Sequence, residues 1–176
     1  MLQQLSFLTS DYKNLLGRRK IRLLHIWMSR FGVGIIVYRL ERGMYITFGR
    51  AWEIFRVLLS PLTYLLYAYS NCDIHYKANI GPGLLVLHPA VGVVISGKTV
   101  AGKNLILTGG NIIGGKPGTQ TGDILIGDNC NLGANAVILG PIRLGHYVSI
   151  GACALVNKEA PDYAVLVGVP AKNLKG

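Results

Sequence analysis

Charge is scarce in this chain, and negative charge is scarcest. Of 176 residues only 15% are charged, with eight Asp or Glu against eighteen Lys or Arg. Low charge beside 51% hydrophobic content excludes general disorder. Cysteine is sparse too: Cys72, Cys130 and Cys153 are odd in number and form no CxxC pair. That excludes a disulfide framework and reads as reduced thiols, small core fillers of a cytosolic protein. Long apolar runs are missing. Val57–Tyr69 is apolar but shorter than the ~20 residues a membrane-spanning helix needs. The N-terminal Met1–Asn14 is polar and mixed, which does not read as a cleavable signal. The length allows one domain with a sizeable core and is too short for two large ones.

The net charge of +10 is unevenly placed. Residues 1–72 hold ten Lys or Arg against Asp11, Glu41 and Glu53, giving +7, and the remainder gives +3. The basic residues interleave with apolar ones and no recognition motif accompanies them, which argues against a nucleic-acid partner. Within this segment Ile21–Met28 and Phe31–Tyr38 read as helical, and Ala51–Tyr69 as a helix interrupted at Pro61. Basic residues beside Trp27, Trp52, Tyr64, Tyr67 and Tyr69 suit an interfacial helix on an anionic membrane. Packing of the same helices on the rest of the chain and on partner subunits accounts for them equally well.

What is abundant is glycine, 23 residues, and it is dispersed with a rhythm. Aliphatic residues recur every six positions at Ile126, Leu132, Ile138, Leu144, Ile150 and Val156, and Gly127, Gly133, Gly145 and Gly151 each follow one of them. An earlier run, Ile74, Ile80, Val86, then Val94, Val100, Ile106 and Ile112, keeps the same beat with one slip of two residues. A fixed short period predicts a solenoid whose coils stack and bury a continuous aliphatic column. Six residues predict three flat faces per coil, with glycine permitting the tight corners. The expected fold is an all-β solenoid, a left-handed parallel β-helix of hexapeptide repeats over residues 72–176, preceded by a helical segment over residues 1–71.

The beat breaks twice. Val86 and Val94 are eight residues apart, with His88 between them. Ile112 and Ile126 are fourteen apart and enclose the loop-forming Gly114–Gly122. After Val156 the beat stops. Of four histidines, His25 reads as packing, His146 as a surface position on the regular beat, and His75 follows Ile74 on the first coil. Only His88 occupies a break, where a histidine of near-neutral pKa would serve as a general base.

The segment Ile80–Ile95 with its His88-Pro-Ala, together with Ile112-Ile-Gly-Gly115 and the ending Val167-Gly-Val-Pro-Ala-Lys172, resembles serine acetyltransferases and polysaccharide O-acetyltransferases of the hexapeptide-repeat acyltransferase superfamily. The resemblance covers about residues 72–174. It implies a homotrimer with acetyl-CoA in grooves between subunits, and direct acetyl transfer to a hydroxyl without an acyl-enzyme or a metal. It implies that His88 is the base and that Asp73, fifteen residues earlier, orients it; an Asp capping the first coil would also explain Asp73. On the donor side it implies Gly114 and Gly115 at the thioester arm, Ala134 and Ala152 beside pantetheine, and Lys172 near the nucleotide. The carbonic anhydrases of this fold need three His ligands whose spacing His75, His88 and His146 do not reproduce.

Two departures from the serine acetyltransferase pattern stand out. Leu87 replaces the Asp before the catalytic His, and Gly122-Asp123 stands where an Arg-His pair is expected. Both point the acceptor away from free serine, with Asp123 either contacting a sugar hydroxyl or forming a turn. The expected function is therefore O-acetylation of a saccharide in capsule or exopolysaccharide synthesis, in the cytoplasm or peripherally at the inner face of the membrane through residues 1–70. Serine O-acetylation and a non-catalytic trimeric scaffold are the alternatives.

Overall fold

The computed structural model describes residues 1–16 and 29–175. Three helices, α1 (Leu2–Leu16), α2 (Arg30–Phe48) and α3 (Arg50–Ser70), precede a run of short strands. The strands sort into three sheets. Sheet one holds β1 (Cys72–Ile74), β4 (Val93–Ile95), β7 (Asn111–Gly115), β10 (Val137–Gly140) and β13 (Leu155–Val156). Sheet two holds β2 (Asn79–Ile80), β5 (Thr99–Ala101), β8 (Ile124–Ile126) and β11 (Ile142–Leu144). Sheet three holds β3 (Leu85–Val86), β6 (Ile106–Leu107), β9 (Asn131–Leu132), β12 (Ser149–Ile150), β14 (Val165–Val167) and β15 (Lys172–Asn173). Each of the first four coils donates one strand to each sheet, and all pairings are parallel except β14 with β15. The result is a parallel β-solenoid whose hexapeptide spacing fits a left-handed β-helix.

The regular beat from Ile126 to Val156 lies inside: all six aliphatics are buried. The earlier beat is out of step by one residue after its slip. Val94 and Ile112 are 44% and 46% exposed, while Ile95, Ala101, Leu107 and Ile113 are the buried set. The insertion at His88 is thus three residues rather than two, because register pairs Ile74 with Ile95. Hydropathy alone could not separate Val94 from Ile95, since both faces of that strand are aliphatic. The second insertion sits in a single passage from sheet one to sheet two, and lengthens it from six residues (Ile95 to Ala101) to thirteen (Ile113 to Ile126). Nor does the coil end at Val156. Ala160 bridges Leu144 and β14 pairs with β12, so winding continues with a passage two residues short.

Glycine serves the corners by clearance. A Cβ on Gly127 would lie 2.4 Å from the Gly145 carbonyl oxygen, and one on Gly133 would lie 2.6 Å from the Ala152 nitrogen. The left-handed backbone falls two residues later, on Asn129 and Asn135.

The helices cap the first coil, and the solenoid core continues into α2 through Phe31, Ile35 and Tyr38. Tyr38 donates to the Ala78 carbonyl at 3.0 Å and accepts from Ile80 N–H at 3.2 Å. α2 is longer than Phe31–Tyr38, and α3 runs unbroken through Pro61. The carbonyl that a residue-61 N–H would have served, that of Val57, accepts instead from Ser60 Oγ at 2.8 Å. α1 is a helix where the sequence reads as merely polar, because Gln4 and Asp11 face inward. The expected helix Ile21–Met28, with His25 and Trp27, lies outside the described residues. Among the described residues no helix is long and apolar enough to cross a membrane.

Candidate active site

His88 follows β3, where the chain turns from sheet three to sheet one. Its neighbours hold it by backbone: Leu87 and His88 N–H donate to Leu107 and Thr108 carbonyls, both at 2.9 Å. The chain then makes one 3-10 turn, Pro89–Val91, and Gly92 re-enters at φ 88°. Gly92's carbonyl accepts from Gly110 N–H at 2.7 Å, and Val93 N–H donates to the Asn71 carbonyl at 2.9 Å. Beneath His88 the next coil presents Gly109, on which a Cβ would lie 2.5 Å from the His88 carbonyl oxygen. Asn111, fully buried, locks that corner by accepting from Gly109 N–H (2.9 Å) and donating to the Gly133 carbonyl (2.7 Å). The backbone of His88 is therefore fixed while its side chain is exposed.

Asp73 points outward from the middle of β1, between buried Cys72 and Ile74. It lines an open cleft of about 360 Å³ together with Tyr67 and Asn71 from the end of α3, Val91 and Gly92 from the His88 loop, and Gly110 and Asn111. Mid-strand, it makes no capping hydrogen bond among the described residues. Among the described residues it forms no ion pair with His88, whose loop reaches the cleft through Val91 and Gly92 while His88 itself is not part of the lining. Tyr67 donates a short hydrogen bond to Glu41, which also binds Arg56 at 2.6 Å. Burial, then the Glu41 carboxylate, push the Tyr67 phenol well above its usual range, so it stays a neutral hydroxyl. The thiol behind this wall, Cys72, is pushed up to about 12 by burial and is inert. Cys130 is buried likewise, whereas Cys153 is exposed and fills no core.

The remaining sequence-predicted residues divide into two groups. Ala134 and Ala152 lie on the same edge of the prism as His88, each second in its corner after Gly133 and Gly151. Successive coils along that edge join through Asn135 N–H to the Gly109 carbonyl and Cys153 N–H to the Ala134 carbonyl. The tail closes the edge: Leu155 N–H donates to Gly168, and Ala171 N–H to Leu155. Lys172 stands exposed beyond it, on β15. At about 4.8 Å per coil, the path from His88 to the tail is roughly 19 Å. Gly114 and Gly115 end β7 at the other side of sheet one, and nothing lies within 4 Å of a Cβ on Gly114. Asp123 uses one carboxylate oxygen to accept Gln120 N–H at 2.6 Å, tying its own loop. Of the other histidines, His146 accepts Asp128 N–H at 3.0 Å on a solvent corner, and His75 stacks on Tyr76 at 4.5 Å.

Sequence reasoning missed Tyr67, Asn71, Gly109, Gly110 and Asn111. The run Thr108-Gly-Gly-Asn111 carries a readable corner signal, but nothing in the helical segment marks Tyr67 as a neighbour of Asp73.

Comparison with known proteins places this geometry in context. The family described as bacterial transferase hexapeptide (six repeats) matches residues 123–158. No curated protein matches. Among solved structures, the serine acetyltransferase of Neisseria gonorrhoeae is 31% identical over 99% of this chain and 66% of its own, with a TM-score of 0.82. The same enzyme in complex with serine is 32% identical over 98% of this chain and 69% of its own, TM-score 0.80. The soybean serine acetyltransferase apoenzyme is 27% identical over 99% and 70%, TM-score 0.82. The chain thus spans about two thirds of the length of these structures.

Proposed function

Because this chain belongs to the hexapeptide-repeat acyltransferase superfamily, we propose that it transfers acetyl from acetyl-CoA to an acceptor hydroxyl with His88 as general base. The observation that carries the reading is His88 itself, an exposed histidine on a clamped backbone whose loop, through Val91 and Gly92, lines the cleft that holds Asp73. His88 takes the hydroxyl proton as the oxygen attacks the thioester carbonyl. The tetrahedral adduct collapses, the C–S bond breaks, and the imidazolium returns the proton to the departing CoA thiolate. Asp73 stabilises the transient imidazolium across the cleft. The small-residue edge through Ala134 and Ala152 holds the pantetheine arm, Gly114 and Gly115 leave room near the thioester, and Lys172 meets the nucleotide end. The groove is completed by a neighbouring subunit of a homotrimer, a reading supported by the outward aliphatics Val94 and Ile112 on sheet one.

Free serine is the acceptor supported by the likeness to serine acetyltransferases. One observation favours a saccharide instead: among the described residues no cationic side chain lines the cleft, and Gly122-Asp123 stands where the Arg-His pair of the serine acetyltransferase pattern is expected. A carboxylate-bearing acceptor is poorly matched to such a lining. Release of CoA from acetyl-CoA, measured with L-serine and with saccharide acceptors, separates the two. His88→Ala is expected to lower turnover by about 10²–10⁴-fold. Undiminished turnover in that variant would overturn the mechanism.

A further inference from the structure

α3 is turned inside out relative to an ordinary surface helix. Beyond its first turn several polar groups face the molecule: Arg56 pairs with Glu41, and Thr63 and Ser70 are buried. Its aliphatic stripe faces outward, with Ile54 and Leu58 each 76% exposed and Leu62 and Leu65 following at helical spacing. Val57 lies on the same side, and Phe48 is exposed at the end of α2. A continuous exposed apolar face of this kind marks an interaction surface.

The charge around the stripe identifies its partner. All three carboxylates of residues 1–72 are consumed by ion pairs: Asp11 with Arg39 at 2.8 Å, Glu41 with Arg56 at 2.6 Å, and Glu53 with Lys77 at 2.6 Å. Lys13, Arg30 and Arg50 are exposed and form no ion pair among the described residues. The helical layer therefore offers leucines and cations without a free anion. On α3 itself Glu53 and Arg56 are paired and Arg50 is the charge without an ion pair among the described residues, so a second copy of the same face would bring no anion to meet it. We propose that the outer face of α3 docks on an anionic lipid surface, with Leu58, Leu62 and Leu65 entering the interface and Arg50, at the start of the same helix, meeting the headgroups. This holds the enzyme at the surface through an interfacial helix, and it does not depend on which acceptor is acetylated.

Co-sedimentation with phosphatidylcholine vesicles, with and without phosphatidylglycerol, tests it. The full chain is expected to bind only the vesicles containing phosphatidylglycerol, and to be released near 1 M salt, where the Debye length falls to about 3 Å. Combined Leu58→Asp, Leu62→Asp and Leu65→Asp should weaken binding at least ten-fold with the circular dichroism spectrum kept. Arg50→Glu should weaken it roughly five-fold or more. Absence of binding, indifference to phosphatidylglycerol, or full binding by the leucine variant overturns the proposal. Loss of a wild-type oligomer in the leucine variant, seen by sedimentation velocity without vesicle binding by the wild type, assigns the face to a second copy instead.

Discussion

At six corners of the solenoid one residue sits at φ between 56° and 60°: Asn104, Asn129, Asn135, Tyr147, Cys153 and Tyr163. Asparagine visits this region cheaply, and most other side chains do not. Tyr147 and Tyr163 offset the strain by stacking their rings at 4.9 Å. Cys153 has no such contact, so Cys153→Asn is expected to stabilise by up to about 1 kcal/mol in denaturant unfolding. Gly109 is the opposite case. Its φ of 138° and its 2.5 Å approach to the His88 carbonyl leave no room for a side chain. Gly109→Ala should cost about 1–3 kcal/mol of stability and depress turnover beyond what the shift in melting explains. His75 supplies a pH signature. Burial, then Arg56 and Lys77, hold it below its ordinary value, so the unfolded chain binds a proton that the folded chain resists. Stability from this group is present above about pH 6.5 and falls as pH drops through the folded value. Thermal melts of His75→Gln should show a shallower acid limb.

Among elements, the junction of helices and first coil is the most concentrated polar structure. Arg39, without solvent exposure, binds Asp11 through two nitrogens and donates to the Ile80 and Gly81 carbonyls, both at 2.7 Å. Asp11 accepts in turn from Gly83 and Leu84 N–H at 2.7 and 2.8 Å. This cluster satisfies the unpaired edge of the first coil, which has no preceding coil to bond. Removing one partner strands the other charge, so Asp11→Ala should cost about 3–5 kcal/mol and detach α1 first, visible as lost protection in hydrogen exchange. The same junction brings Tyr67 to the cleft. Tyr67→Phe leaves the ring in place and leaves Glu41 with Arg56 as its partner, and should alter acceptor KM more than the rate of CoA release at saturation.

For the molecule as a whole, the outward column Asp73, Val94, Ile112 on sheet one, set by the strand register, faces away from the core. Under the proposed trimer, with its donor groove between subunits, Ile112→Glu should dissociate the assembly in light scattering while leaving the coil intact, and should abolish turnover. The edge from His88 to Lys172 would remain whole in the dissociated subunit, which separates loss of assembly from loss of the base.

The six-residue period by itself determined the solenoid, because a repeat that short can bury its aliphatics only by stacking coil on coil. It also singled out His88, since a histidine inside an insertion is released from the packing that fixes the regular positions. Only the tertiary structure decided which aliphatics face inward between Val93 and Ile113, because strands apolar on both faces carry no inside-or-outside signal. It alone decided that α3 presents its leucines outward and that Tyr67 joins Asp73 at one cleft. Both depend on how the helices dock on the first coil, through a buried Arg39–Asp11 pair whose two halves lie 28 residues apart in the chain.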